Sequence, residues 1–356
     1  MVLSTMNALV VEVPENSSNA ELVKKEISPP MLEPHEVLVK VASVAQNPTD
    51  VKAFDGNFYG NGAVLGCDFA GTVERVGKDA SRVAEGDTIA GLVWGGEIKG
   101  LGAFSEYTKA HENICFKVPK NISLQEAATI PLASLTAWIA LFSPQCLNID
   151  RTNSKESILI WGGSSSVGQY AIQIAALYGF EVVTICSPRN FHLVKALGAT
   201  HAFDYNDLDV VRSIKSATPE LRYVFDTIGD KKSSVLASQA IHEDSGTLCT
   251  VRPDKRFTEN VTRQTKVTPV LVWTIFNRVI KYNTVQVEPR REDYKLGVEF
   301  IDKISGWIEE GRIKPNKPKV LPGGLDAVKD GFQEHRDGKI SGCKLVYELG
   351  NTDPAV

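Results

Sequence analysis

The spacing of hydrophobic and polar positions changes twice along this chain, and the changes divide it. Over residues 36–46 (EVLVKVASVAQ) it alternates, with Val37, Val39, Val41 and Ser43 on one face and Leu38, Lys40, Ala42 and Val44 on the other. That is the period-2 pattern of a half-exposed strand. Residues 64–76, 87–93 and 103–109 continue it, punctuated by Gly71, Gly77, Gly86, Gly91 and Gly102. Together they predict a β-rich domain, a partly closed barrel.

From Ser123 the rhythm shifts. Ser123 and Glu126 form a capping box, in which each side chain satisfies a free amide at a helix start. Residues 156–161 read as a short strand, followed by a glycine-serine loop. Apolar residues at 167, 170, 171, 174, 175 and 178 then have the spacing of an amphipathic helix, which Gly179 ends. Strands at 181–186, 200–204, 223–227 and 247–251, with a helix at 190–197, complete a βαβαβ alternation. A parallel sheet with helices on both faces follows. The tail predicts a helix at 293–311, a link containing Pro315, Pro318 and Pro322, a helix from Leu325 and a strand at 343–349. The simplest arrangement inserts a nucleotide-type domain, 129–287, between two pieces of the β-rich one, 1–128 and 288–356.

Length and composition narrow the class. The chain has 356 residues, 43% hydrophobic and 23% charged, enough for two domains with sizeable cores. Its apolar runs, such as 137–142 and 270–273, fall far below the roughly 20 residues of a membrane span. Formal charge is −4, which gives no reason to expect a nucleic-acid partner. One segment departs from this balance: residues 252–295 carry ten basic and five acidic side chains, +5 against −9 for the remainder. The six cysteines are at least 31 residues apart, so no C-x-x-C redox or metal knuckle exists. MVLSTMNALVVEV lacks a basic region followed by an apolar core, and NTDPAV is not a peroxisomal tripeptide, so a cytoplasmic location is expected.

The chemistry concentrates at WGGSSSVGQ, between a predicted strand and a predicted helix. Read as G-x-G-x-x-G it is Gly163, Ser164, Ser165, Ser166, Val167 and Gly168, with Ser165 in place of the middle glycine. A serine hydroxyl at a helix N-terminus can hydrogen-bond phosphate, and the helix dipole favours an anion there. The alternative is a tight strand-to-helix turn with no ligand. About 19 residues beyond Gly168, where an NAD enzyme places an acid for the ribose hydroxyls, stand Ser187 and Arg189. A hydroxyl and a cation suit a 2′-phosphate, so NADPH is the expected cofactor. Arg189 as a solvated helix-start residue is the plainer reading.

NPTDVKAFDG, LGCDFAGTVERVG, GDTIAG, GAFSEYTKA, EAATIPLASLTAW, GGSSSVGQYAIQIA, LGATHAFDY and SGCKLVYEL occur in the order of the medium-chain dehydrogenase/reductase superfamily, which this chain resembles over nearly its whole length. CSPRNF and the stretch Trp273, Thr274, Ile275, Phe276 are similar to the zinc-free fungal trans-acting enoyl reductases that serve polyketide synthases. Quinone oxidoreductases are the neighbouring branch. The resemblance implies an α/β fold, a Rossmann doubly wound parallel sheet inserted into a GroES-like β-rich catalytic domain. At the positions of that superfamily's catalytic zinc ligands stand Asn47, Cys67 and Leu132, and residues 92–104 lack the cysteines of its structural zinc lobe. No metal is therefore expected.

Without a Lewis acid, conjugate reduction asks less of a protein than alcohol oxidation does. The resemblance places Lys52 and Thr136 as catalytic donors at the domain junction, Asn47 on the cofactor side, and Tyr205 beside the adenosine phosphate. The plain alternatives are a surface ion pair for Lys52, a helix cap for Thr136 and a packed strand-end aromatic for Tyr205. The implied function is NADPH-dependent reduction of an enoyl thioester, small-molecule or carrier-bound, with a polyketide synthase acyl carrier domain as partner. A quinone or enone reductase and a non-catalytic NADPH-binding scaffold are the other readings.

Overall fold

A computed structural model describes residues 4–15, 19–153, 155–282 and 284–349; the C-terminal tail read above for a targeting tripeptide lies outside the described residues. The chain divides into two compact units, Met1–Leu132 with Ile301–Glu309 and Pro315–Val356, and Ala133–Phe300 with Glu310–Lys314. The first begins with β1 (Met6–Glu12), β2 (Glu21–Ile27), β3 (Glu36–Ala45), α1 (Pro48–Asp55), β4 (Asp68–Val76), β5 (Thr88–Leu92), β6 (Tyr107–His111), β7 (Cys115–Lys117) and α2 (Leu124–Ala128). The chain then runs through α3 (Pro131–Phe142), β8 (Ser157–Trp161), α4 (Ser166–Leu177), β9 (Glu181–Ile185), α5 (Phe191–Ala196), β10 (His201–Phe203) and α6 (Val210–Ala217). Next come β11 (Tyr223–Asp226), α7 (Lys231–Gln239), β12 (Gly246–Thr250), β13 (Thr265–Pro269), β14 (Ile280–Tyr282), β15 (Val285–Val287) and α8 (Arg291–Glu309). It closes on β16 (Pro318–Val320), α9 (Val328–Arg336) and β17 (Lys344–Glu348).

In the first unit β3 organises the main sheet, whose order is β16-β17-β3-β4-β5-β7 with β6 also paired to β3. One edge of β3 is shared: β6 takes Glu36–Lys40 and β17 takes Ser43–Ala45, while β4 runs along the other edge. The half-exposed strand expected from the alternation is more deeply buried: on its second face Leu38 and Val44 are both at 0% exposure, while Lys40 is exposed and Ala42 half-buried. Register shifts at Leu38/Val39 and Val41/Ser43 interrupt the alternation, so parts of both faces meet the core. Gly71 of β4 permits the close approach there, since a Cβ would lie 2.1 Å from the Lys40 carbonyl oxygen. The core joins Val37, Val39, Phe69 and Phe104 to Phe332 of α9 and Tyr347 of β17.

In the second unit six parallel strands lie in the order β10-β9-β8-β11-β12-β13. This is the doubly wound order of two mononucleotide halves, with its switch point between β8 and β11. The strands are near-continuous apolar runs because both faces are covered, as Leu159, Val183, Val224 and Leu248 show. The predicted helix at 190–197 is a 3-10 turn, Pro188–Asn190, leading into α5, and the helix expected from Leu325 is likewise a 3-10 turn leading into α9. The capping box of Ser123 and Glu126 forms as expected at the start of α2.

Candidate active site

The glycine loop leaves β8 at Gly162, whose φ of +87° no β-carbon residue adopts easily. Gly163 lies against β9, where a Cβ would stand 1.9 Å from the Thr184 hydroxyl, and Gly168 brings α4 onto the loop, where a Cβ would stand 2.3 Å from the Gly162 carbonyl oxygen. These are the tight-turn and close-packing roles that a dinucleotide fingerprint needs. Ser165 caps α4, its hydroxyl accepting from the Gly168 amide at 3.0 Å. The same hydroxyl lies 2.9 Å from Thr227 Oγ1, which itself donates to the Trp161 carbonyl at 2.8 Å. The Ser165 proton therefore goes to Thr227. In this structure its hydroxyl, expected above as a phosphate donor, caps α4 and joins the loops after β8 and β11 across the switch point. What α4 offers an anion is its first-turn backbone amides, Ser166 and Val167.

Beside the switch point, Asp226 ends β11 fully buried and accepts from the amides of Ile228 (3.0 Å) and Gly229 (2.9 Å) and the hydroxyls of Ser233 and Ser234 (2.8 Å each). Burial nonetheless holds its pKa above the ordinary carboxylate value. This residue escaped the sequence reading, although a carboxylate three positions before a glycine at a strand end is a loop-organising signal. At the outer end of the sheet, Ser187 Oγ donates to Tyr205 Oη at 3.3 Å, which brings two of the expected cofactor residues together. Arg189 is exposed on the same turn. Residues at the strand C-termini thus fit a dinucleotide: a glycine turn, helix amides and a hydroxyl pair with a cation where an acid would bind an unphosphorylated ribose.

The first unit holds a second polar cluster. Lys52 is exposed on α1, and Asn47 precedes that helix with 2% exposure. Asn47 Nδ2 donates to Asp68 (2.9 Å) and to the Ala45 carbonyl (3.3 Å), while its backbone amide donates to Asp50 at 2.7 Å. Cys67 Sγ donates to Asp50 at 3.2 Å, and Asp68 also accepts from the Leu132 amide at 2.7 Å and from Lys344 Nζ. Burial pushes Asp50 up to about 7 and, with the Asp50 carboxylate, pushes the Cys67 thiol well above its usual range. Thr136, on α3 in the second unit, is 7% exposed.

This donor set does not fit a catalytic zinc. Asn47 presents an amide N–H, Leu132 is apolar, and an ammonium, Lys344, already neutralises the carboxylate. Among the described residues no group of three or more His, Cys, Asp or Glu side chains is placed to hold a metal ion. His111 and Cys115, close in sequence, are taken up locally: His111 accepts from the Asn113 amide, and Cys115 is buried.

Comparison with known proteins agrees with this architecture. Residues 33–120 match the family described as alcohol dehydrogenase GroES-like domain, and 166–266 the family described as zinc-binding dehydrogenase. The trans-enoyl reductase fsa3 of Fusarium sp. (strain FN080326) is 36% identical over 325 residues, 88% of this chain and 91% of that protein. The trans-enoyl reductase eqxC of Fusarium heterosporum is 35% identical over 88% of this chain and 91% of its own. Among solved structures, a putative zinc-dependent alcohol dehydrogenase from Rhizobium etli CFN 42 superposes with a TM-score of 0.77 at 25% identity, covering 98% of this chain and 99% of that one. The chain belongs to the medium-chain dehydrogenase/reductase superfamily. It is an oxidoreductase of that family, with a nicotinamide dinucleotide as the implied cofactor. No helix among the described residues is long and apolar enough to cross a membrane.

Proposed function

We propose that this protein is an NADPH-dependent, zinc-independent enoyl reductase that saturates the double bond of an α,β-unsaturated acyl thioester, acting in trans on the carrier-bound intermediates of a polyketide synthase in the cytoplasm. The observation that carries the reading is the interior of the first unit, where Asn47 and Lys344 surround Asp68 in place of a metal-ligand set. Two relatives named trans-enoyl reductases, similar over 88% of the chain, support the reaction class.

When bound, the nicotinamide supplies a hydride, which reduces the β-carbon of the enoyl group. The protein's part is to hold the substrate and receive the charge that develops on the thioester oxygen. Lys52 and Thr136 are assigned to that work, as a cation and a hydroxyl donor, with Lys52 also able to relay the proton that must reach the α-carbon. One well-placed oxyanion donor is worth about 3 to 4 kcal/mol of transition-state stabilisation. The glycine loop at Gly162 to Gly168 holds the pyrophosphate through backbone amides, and Ser187, Arg189 and Tyr205 hold the adenosine 2′-phosphate.

The test is a panel of crotonyl and longer enoyl thioesters, free and carrier-linked, followed by NADPH absorbance. Reduction of the thioesters, with simple quinones turned over far more slowly, is the expected result. Quinone turnover without enoyl turnover would make the protein a quinone reductase, and NADPH binding with no turnover of either would make it a scaffold.

A further inference from the structure

We propose that Lys232 is a specificity-determining residue for the cofactor, its ammonium joining Ser187, Arg189 and Tyr205 around the 2′-phosphate of NADPH. The inference rests on the NADPH reading above and extends it to a third strand-helix connection, outside the glycine fingerprint and outside the turn after β9.

Three connections contribute at one end of the sheet. The turn after β9 supplies Ser187 and Arg189, the chain after β10 supplies Tyr205, and the start of α7 supplies Lys232. Ser187 Oγ and Tyr205 Oη are 3.3 Å apart, and Lys232 Nζ lies 3.4 Å from the Tyr205 carbonyl oxygen. The ammonium therefore reaches the residue whose ring already meets Ser187. Its backbone is fixed from below, because Asp230 accepts from the amides of Lys232 (2.9 Å) and Ser233 (2.7 Å) in a capping box. The buried Asp226 ties the same turn to β11 through Ser233 and Ser234. A long flexible side chain is thus launched from a rigid point.

Charge favours an anion here. Among the described residues neither Lys232 nor Arg189 takes part in a salt bridge, and both are exposed. A carbonyl occupies one of three ammonium donors at a long distance, leaving two for another acceptor. Asp204, next to Tyr205, and Asp230, which caps α7, are the opposing charges nearby; an oxygen of Asp204 accepts from the Asn206 amide at 3.0 Å, and one of Asp230 accepts from the amides of Lys232 and Ser233. Lys232 meets Tyr205 at its backbone carbonyl and Ser187 meets it at the phenol hydroxyl, so two cations without carboxylate partners and two hydroxyls stand on three connections joined through Tyr205, a set that suits a phosphate dianion better than a ribose hydroxyl.

The experiment is calorimetric titration of the purified full chain and of Lys232→Ala and Lys232→Arg with NADPH, NADH and adenosine 2′,5′-bisphosphate. For Lys232→Ala a rise of about tenfold in Kd for NADPH and for the bisphosphate is expected, equivalent to about 1.4 kcal/mol, with NADH changed less than twofold. Lys232→Arg should keep most of the affinity. If the wild type prefers NADPH and Lys232→Ala keeps that preference undiminished, the assignment of Lys232 is overturned while the NADPH reading stands. If the wild type binds NADPH and NADH alike, the NADPH reading itself fails and this inference with it. Equal losses for all three ligands, with a lowered Tm, would reduce Lys232 to a structural partner of the Tyr205 carbonyl and overturn the proposal.

Discussion

Lys344 of β17 donates to Asp68 of β4 in the interior of the first unit, with side-chain exposures of 2% and 0%, across 276 residues of sequence. Asp68 is thereby held by an ammonium, by the Asn47 amide and by the Leu132 backbone. Removing one member of a buried pair leaves the other charge uncompensated, at a cost of about 3 to 5 kcal/mol. Lys344→Met should lower stability by that amount in denaturant titration, and the double variant with Asp68→Asn should recover much of it. A Lys344→Met protein as stable as the wild type would show that the pair is dispensable.

Asp50 gives the same interior a pH dependence. Its folded pKa, about 7, lies above the ordinary value near 3.8, because burial disfavours the anion. Between those values the folded state binds more protons than the unfolded, so this group's contribution to stability falls as pH rises from about 4 to 7. The Tm of the wild type should decline over that window more steeply than that of Asp50→Asn. Parallel profiles would rule out Asp50 as the source.

The sequence made much of the second unit legible and less of the first, for physical reasons. Parallel strands covered on both faces leave apolar runs between glycine turns, and the loop at Gly163 and Gly168 carries its own spacing. α3 left no such trace: every residue of it is buried, so it has no polar face and no helical period. β3 misled in part in the opposite sense, because register shifts interrupt its alternation and Leu38 and Val44 of the expected open face are buried while Lys40 stays exposed. Asp68 and Lys344 meet only through the pairing of β17 and β4 with β3, which no local pattern encodes. Ser165 was visible as a departure from the fingerprint, but its use as a cap to Gly168 and a bridge to Thr227 needed both loops in view.

That use of Ser165 predicts how the loop tolerates change. Ser165→Ala removes the cap and should cost about 1 kcal/mol, whereas Ser165→Gly, which restores the middle glycine, should cost a few tenths. Because the hydroxyl is not assigned to phosphate, Ser165→Gly should bind NADPH within about twofold of the wild type by titration. A tenfold loss in that variant would return the hydroxyl to the pyrophosphate.

Catalysis should persist without metal. Protein dialysed against a strong chelator is expected to keep its full rate with an enoyl thioester, whereas Lys52→Ala and Thr136→Ala should each lower kcat/KM by at least about tenfold without a matching loss of Tm. Rates that collapse on chelation and return with zinc would refute the reading of Asn47, Cys67 and Leu132.

The partner should be readable in salt dependence. The basic segment 252–295 lies in the second unit, and part of its charge is internally used: Arg256 Nε bonds Asp254 at 2.6 Å, Arg252 Nε bonds the Gly229 carbonyl at 2.6 Å, and Arg290 lies 3.6 Å from the buried Asp293. Arg263, Lys266, Lys281 and Arg291 remain exposed as cations for an acidic surface. Such charges act mainly on association rate and are screened over about 10 Å at 0.1 M salt. A carrier-linked enoyl substrate should therefore be reduced more efficiently than its free thioester at low salt, and the advantage should shrink as salt is raised. Charge reversal at Arg263 and Lys266 should remove it while leaving the free thioester unaffected, since neither residue is assigned to cofactor or substrate. If carrier-linked and free substrates respond alike to salt and to these substitutions, the protein acts on free enoyl thioesters and the basic segment is a solvated surface.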